Sequence, residues 1–299
     1  MQNEDPGVGS GYDRVREKYL KALSEHTGRN VIAYYSGWTE VGDNLQQVAP
    51  SMLLINDWDK HAFMAAIKGL DRARGLDLIL HTPGGDIAAT ESLVDYLHDV
   101  FNRDVRAIVP QIAMSAGTMI ACACKEIVLG RHSNLGPIDP QINGVPAQAV
   151  LDEFEEAIEQ AKRNPESIPF WQAIIGKYHP TFLGECRRAI RWSRSIVRKW
   201  LRECMFAGDP DAQHKADKVV NALGDHSKTK THSRHLSRHA LPAELKVTPL
   251  ESDDTFQDLV LSAHHAFLLS CAHKNILKIV ENHQGRRKVV AVRAPAKAE

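Results

Sequence analysis

The chain has 299 residues, 43% hydrophobic and 25% charged, with 37 basic side chains balanced by 37 acidic ones. That is enough apolar chain to bury a sizeable core, and it excludes a disordered segment, a collagen-like fibre and a small disulfide scaffold. Balanced charge removes any whole-chain argument for nucleic acid or an anionic membrane, so a charged partner has to be read from a local patch.

Five cysteines, at 122, 124, 186, 204 and 271, are odd in number and form no CxxC pair. They suggest neither a disulfide framework nor a thiolate zinc site, and the expected setting is a reducing, cytoplasmic one. The first residues, MQNEDPGVGSGYDR, carry no basic region followed by an apolar one, so no secretory signal is expected. The most apolar window, 107–129, is interrupted by Gln111, Lys125 and Glu126 and reads as buried core rather than a membrane span.

In chain order, a helical period fits residues 12–26, and the β-rich run VIAYY (31–35) follows the GRN turn. A helix fits 58–70. LDLILH (76–81) is a continuous apolar run that stops at Pro-Gly-Gly, the pattern of a buried parallel strand entering a loop. Asp86 can cap a helix over 87–101, and VRAIVP (105–110) reads as the next strand. The order β, α, β predicts an α/β fold on a parallel sheet with right-handed crossovers. KEIVLG reads as a further strand, and helices are expected over 147–163, 170–177, 182–206 and 212–223. A His-rich basic stretch, 225–239, precedes a short strand in LKVTPL, a last helix over 255–283 and a basic tail. The expected division is an N-terminal helical extension (1–30), a core (31–245) and a C-terminal helix and tail (246–299).

Two segments can carry chemistry. HTPGGD (81–86) stands at the end of a predicted parallel strand, where open α/β sheets bind ligands, and its glycines let backbone N–H groups approach a bound group. The plain alternative is a strand-to-helix turn capped by Asp86. AMSAGTMIA (113–121) places Ser115 among small residues where a strand passes into a helix, and a helix N-terminus favours a developing anion. Taken alone, Ser115 also reads as a packed small residue.

Together, HTPGGD, MSAGT and SNLGPIDPQ (133–141) resemble the Clp protease and signal peptide peptidase A superfamily of serine peptidases on the Clp/crotonase fold. The resemblance covers about residues 30–245. The stretches GRNVIAYYSG, HTPGGDIAATESLVDYL, AMSAGTMIACACKEIVLG and GKYHPTFLGEC are closer still to the serine dehydrogenase proteinases. The resemblance implies a nucleophile at Ser115, oxyanion donors at Gly84 or Gly85 with Ala116, a peptide or protein substrate, no cofactor and no metal, and a homo-oligomer.

Serine needs a base. Clp proteases use His and Asp, and signal peptide peptidase A-like enzymes use Lys. Where a Clp-type His would stand, this chain has Asp139; Lys125 sits one regular helix beyond Ser115, out of reach. Lys162 closes an acidic helix. Lys177 lies in IPFWQAIIGKYHPTFLG, a run with almost no other charge, where burial would lower its pKa toward that of a general base. A Ser115–Lys177 dyad is therefore expected, with His179, Asp139 and Lys162 as alternatives.

Two other signals compete. His226, His232, His235 and His239 could make a zinc site, a solvated loop or a loop over the active site. The segment RRAIRWSRSIVRKWLRECMF puts Ile190, Ser193, Val197, Trp200 and Leu201 on one helix face and arginines on the others, which suits a solvated face or binding to an acidic partner or nucleic acid. The reading is a serine peptidase, against an inactive scaffold, a nucleic-acid binder using 187–202, or an acyl-CoA-type hydrolase on the same fold.

Overall fold

The computed structural model describes residues 11–40, 49–142, 144–225 and 231–292. Five strands run parallel in the order β10 (Val247–Pro249), β5 (Glu126–Leu129), β3 (Val105–Val109), β2 (Leu76–His81) and β1 (Asn30–Ser36). LDLILH is β2, buried at every position, because a strand covered on both faces has no solvent side to make polar. Along β1 the side chains alternate: Ile32 and Tyr34 enter one core, while Val31, Ala33 and Tyr35 enter the other.

The first core is closed by α2 (Asp57–Ile67), α3 (Ile87–Phe101) and α4 (Ala116–Cys122), through Phe63, Leu93, Leu97 and Met119. The second is closed by α1 (Gly11–Thr27) and α9 (Asp254–Lys274), through Leu20, Leu23, Val260 and Phe267. Asp86 caps α3 as expected, its Oδ1 accepting the Ala89 N–H at 2.8 Å.

The expected last helix, 255–283, is corrected. It stops at Lys274, where Asn275 turns left-handed at φ 50. The chain continues as β11 (Ile276–Asn282), antiparallel to β1, and β12 (Arg287–Ala291), antiparallel to β11. β1 would otherwise be an open edge, and pairing with ILKIVEN satisfies it. The C-terminal hairpin thus lies in the same sheet as β1, with α1 and α9 packed on it. Fully buried Arg16 joins them, donating to Glu281 Oε2 at 2.6 Å, Ser270 Oγ at 2.6 Å and Asp13 Oδ1 at 2.7 Å.

An arm leaves this body between β5 and β10. A short β6 (Asn134–Leu135) and a hairpin of β7 (Gln141–Ile142) and β8 (Val145–Pro146) lead into α5 (Ala147–Arg163), α6 (Ile168–Ile175) and α7 (Phe182–Trp200). On α7 the buried residues are Cys186, Ile190, Ser193, Ile196, Val197 and Trp200, which share one face at helical spacing. Its first half closes a small cluster with Ala147 and Val150, and its second half joins the main core. A π-helical turn (Leu201–Met205) and α8 (Ala212–Leu223) follow. Among the described residues no helix is long and apolar enough to cross a membrane.

Candidate active site

Ser115 stands at the C-terminal end of the sheet, between the short β4 (Ile112–Ala113) and α4. The Thr82 N–H donates to the Ile112 carbonyl at 3.2 Å and the Met114 N–H to the Thr82 carbonyl at 2.9 Å, so the loop after β2 is zipped to the approach to α4. The bend between them falls on Ser115, at φ 52 and ψ −117. A side chain in that region costs on the order of 1–3 kcal/mol, which surrounding structure must hold in place. Ser115 is half-buried and its hydroxyl makes no capping bond to α4.

Gly84 makes this possible. It has φ +103, and a Cβ placed on it would lie 2.6 Å from Ser115 Cβ and 3.0 Å from the Ala116 nitrogen. Gly85 is pressed against Ile55, whose N–H donates to the Gly84 carbonyl and whose carbonyl accepts the Asp86 N–H, both at 2.9 Å. The Gly84 N–H points to Thr82 Oγ1 at 3.2 Å, whereas the Gly85 N–H is left out of the ladder to Ile55.

The segment SNLGPIDPQ crosses beside Ser115 as a strap. The Gly136 N–H donates to Thr118 Oγ1 at 2.8 Å, Ser193 Oγ donates to the Ile138 carbonyl at 2.8 Å, and the Ile138 N–H donates to the Leu223 carbonyl at 3.0 Å. β6 pairs parallel with β4 in register Ala113 to Leu135, and antiparallel with β9 (Leu236–Ser237) in register Leu135 to Leu236. The strap thus lies between the segment that leads to Ser115 and the turn, closed by the Arg234 N–H to the Thr231 carbonyl at 3.2 Å, that leads into β9. The side chains agree: His232 Nδ1 lies 2.9 Å from Asp139 Oδ1, with the carboxylate buried and the imidazole partly exposed.

The other candidates are elsewhere. The burial expected of Lys177 is corrected, since it lies exposed just past α6. His179 is also exposed, its Nδ1 3.1 Å from Thr181 Oγ1. The intervening Tyr178 stacks on Phe182 at the start of α7, whereas the strap meets α7 at Ser193, roughly 16 Å along the helix. Around Lys177 the apolar Tyr178, Phe182 and Leu183 pack on the arm's own cluster, whereas Ile168 and Phe170 are themselves exposed. Lys162 is exposed and pairs with Glu159 at 2.9 Å. Lys125 pairs with Asp104 at 3.1 Å.

His226 lies outside the described residues, as does the basic tail past 292. No group of three or more His, Cys, Asp or Glu side chains among the described residues could hold a metal ion. Part of the arginine face of α7 is used internally: Arg194 donates to the Gly224 carbonyl and Arg198 pairs with Asp217. The sequence named His232 only among four histidines of a possible zinc site or a loop over the active site, and not as a base. The signal was present in the spacing, since the His-rich stretch leads directly into a strand, but only pairing that strand with the strap gives Asp139 its partner.

Residues 12–168 match the family described as ClpP-like SDH-type serine proteinase. The match contains Ser115, Gly84, Gly85, Ala116 and Asp139, and His232 lies beyond it. Two relatives come from Methanocaldococcus jannaschii. Uncharacterized protein MJ1495 is 35% identical over 168 residues, 56% of this chain and 52% of the relative. Uncharacterized protein MJ0137 is 33% identical over 142 residues, 48% of each. The chain spans about half the length of the curated relatives it matches.

Proposed function

The chain belongs to the ClpP-like SDH-type serine proteinase family, and from that membership we propose that it is a peptidase forming an acyl-enzyme at Ser115, with His232 as general base and Asp139 as its orienting carboxylate. The observation that carries this reading is Ser115 held at φ 52 against Gly84, a strained bend that presents a hydroxyl at the first turn of a helix.

His232 is preferred to Lys177 on physical grounds. Contact with Asp139 through Nδ1 fixes the tautomer and leaves Nε2 to take a proton, the division of labour that a Ser-His-Asp set requires. Lys177 lies exposed just past α6, on the arm.

In the proposed cycle Ser115 Oγ attacks the carbonyl carbon as His232 takes its proton. The tetrahedral oxyanion accepts the N–H groups of Gly85 and Ala116. His232 returns the proton to the leaving amine, then deprotonates the water that hydrolyses the ester. The substrate is a peptide or protein, the cycle uses no cofactor, and the working unit is a homo-oligomer.

A fluorophosphonate probe tests the assignment. Wild-type protein is expected to label on the peptide carrying Ser115, Ser115→Ala not to label, His232→Ala to label on the order of 100-fold more slowly, and Lys177→Ala to label like wild type. Slow labelling of Lys177→Ala beside unchanged His232→Ala would restore the lysine mechanism.

A further inference from the structure

Lys278 is a buried cation to which the proposed cycle gives no part. Lys278 stands on β11 opposite Ser36 and is 1% exposed. Its Nζ donates to Asp59 Oδ2 at 2.9 Å and to the Leu54 carbonyl at 3.1 Å, with the Trp58 ring centroid 5.1 Å away. Both of its bonds fall beside Ile55. Asp59 Oδ2 also accepts the Asn56 N–H at 2.8 Å, closing the capping box that starts α2. On the other side Ser36 Oγ donates to the Leu53 carbonyl at 2.9 Å. The backbone is thus tied at Leu53, Leu54 and Asn56, and Ile55 between them holds the Gly84 carbonyl and the Asp86 N–H.

Burying an ammonium and a carboxylate costs desolvation that their attraction offsets only in part, and an apolar pair of the same volume often holds a fold as well or better. What the ion pair adds is direction, because an ammonium bonded to a carboxylate and a carbonyl at once fixes where that carbonyl lies. We propose that Lys278 is a positioning residue: through Asp59 and the Leu54 carbonyl it holds Ile55 in place, and Ile55 holds Gly84 and Gly85 against Ser115. The inference rests on the reading of this site as a peptidase centre. It assigns to the C-terminal hairpin, beyond the family-matched residues 12–168, a part in shaping a loop inside them.

The test compares wild type with Lys278→Met and with the double variant Asp59→Asn, Lys278→Met, which keeps the volumes and strands no buried charge if the single variant does not fold. Two measurements are made per folded molecule. Amide hydrogen exchange at Ile55 and Asp86 is expected to quicken at least tenfold while Leu78 and Ile108 in the central strands keep their protection. On a peptide substrate kcat is expected to fall at least tenfold with KM within about threefold, as for an interaction made in the transition state. Unchanged exchange at Ile55 and Asp86, or unchanged kcat, in a folded variant overturns the proposal; a merely structural pair would lower the folded fraction and leave both values alone. If wild-type turnover proves independent of Ser115, the peptidase reading fails and the exchange measurement still decides whether Lys278 holds the loop.

Discussion

A non-glycine residue with positive φ is uncommon, and Ser115 holds one beside a glycine that no other residue could replace. Its hydroxyl makes no capping bond, so Ser115→Ala should change unfolding free energy by less than about 1 kcal/mol while peptidase turnover drops by about three orders of magnitude or more. Urea denaturation and single-substrate kinetics on the same preparation check both halves. A second residue-scale prediction concerns acid. His264, on α9, is 4% exposed, with Nδ1 3.1 Å from the Tyr35 hydroxyl and its ring 5.5 Å from that of His81. Burial, helped by His81 and His265, pulls its pKa down to about 3. The unfolded imidazole titrates near 6.5, so between those values the folded state binds fewer protons. The stability from keeping His264 neutral is therefore intact above pH 6.5 and lost as pH falls. Between pH 7 and 5 the loss should be about 2 kcal/mol, and His264→Gln should flatten that part of the curve in denaturant titrations.

At the scale of elements, the Gly-Gly loop is a tight junction. Gly84→Ala would drive a methyl to 2.6 Å from Ser115 Cβ and 2.8 Å from the Met114 carbonyl, at a φ that L side chains avoid. Destabilisation of about 1–3 kcal/mol and at least a 100-fold loss of turnover are expected, read by the urea midpoint and by initial rates. The arm is a different kind of element. Its cluster of Ala147, Val150, Cys186 and Ile190 is small, and α7 ties it to the body through Ser193 and through Trp192, whose Nε1 donates to Glu91 Oε2 at 3.0 Å.

At the scale of the whole molecule, the two most exposed large apolar side chains among the described residues lie on that arm. Phe170 is 64% and Ile158 is 55% exposed, with Val145, Ile168 and Trp192 also open to solvent. The apolar face of α9, by contrast, is covered within the chain by the sheet and α1. Light scattering at micromolar concentration should therefore find an oligomer, and a double Phe170→Asp, Ile158→Asp variant should shift it toward monomer without lowering the thermal midpoint. A monomeric wild type would remove assembly from the proposal.

Much of the fold was legible because its signals are local. The continuous run of β2, the Asp86 cap and the amphipathic spacing of α5, α7 and α8 each lie within one stretch of chain, and the observed limits of α3, α5 and α8 match the expected ones. Gly84, Gly85 and Ser115 were legible for the same reason, as motifs at strand ends. The failures share a cause: ILKIVEN is apolar enough for either helix or strand, and only the unpaired edge of β1 selects the strand. The burial expected of Lys177 fails because its apolar neighbours Tyr178 and Phe182 pack toward Phe154 and Cys186 while Ile168 and Phe170 stay exposed. By itself the sequence determined the parallel α/β core, the serine where a strand passes into a helix, and the family. Tertiary pairing decided which polar groups meet: Asp139 with His232 across 93 residues and Lys278 with Asp59 across 219. Such pairs leave no periodic trace in the chain, because a hydrogen bond depends on distance in space and carries no preference for separation along the sequence.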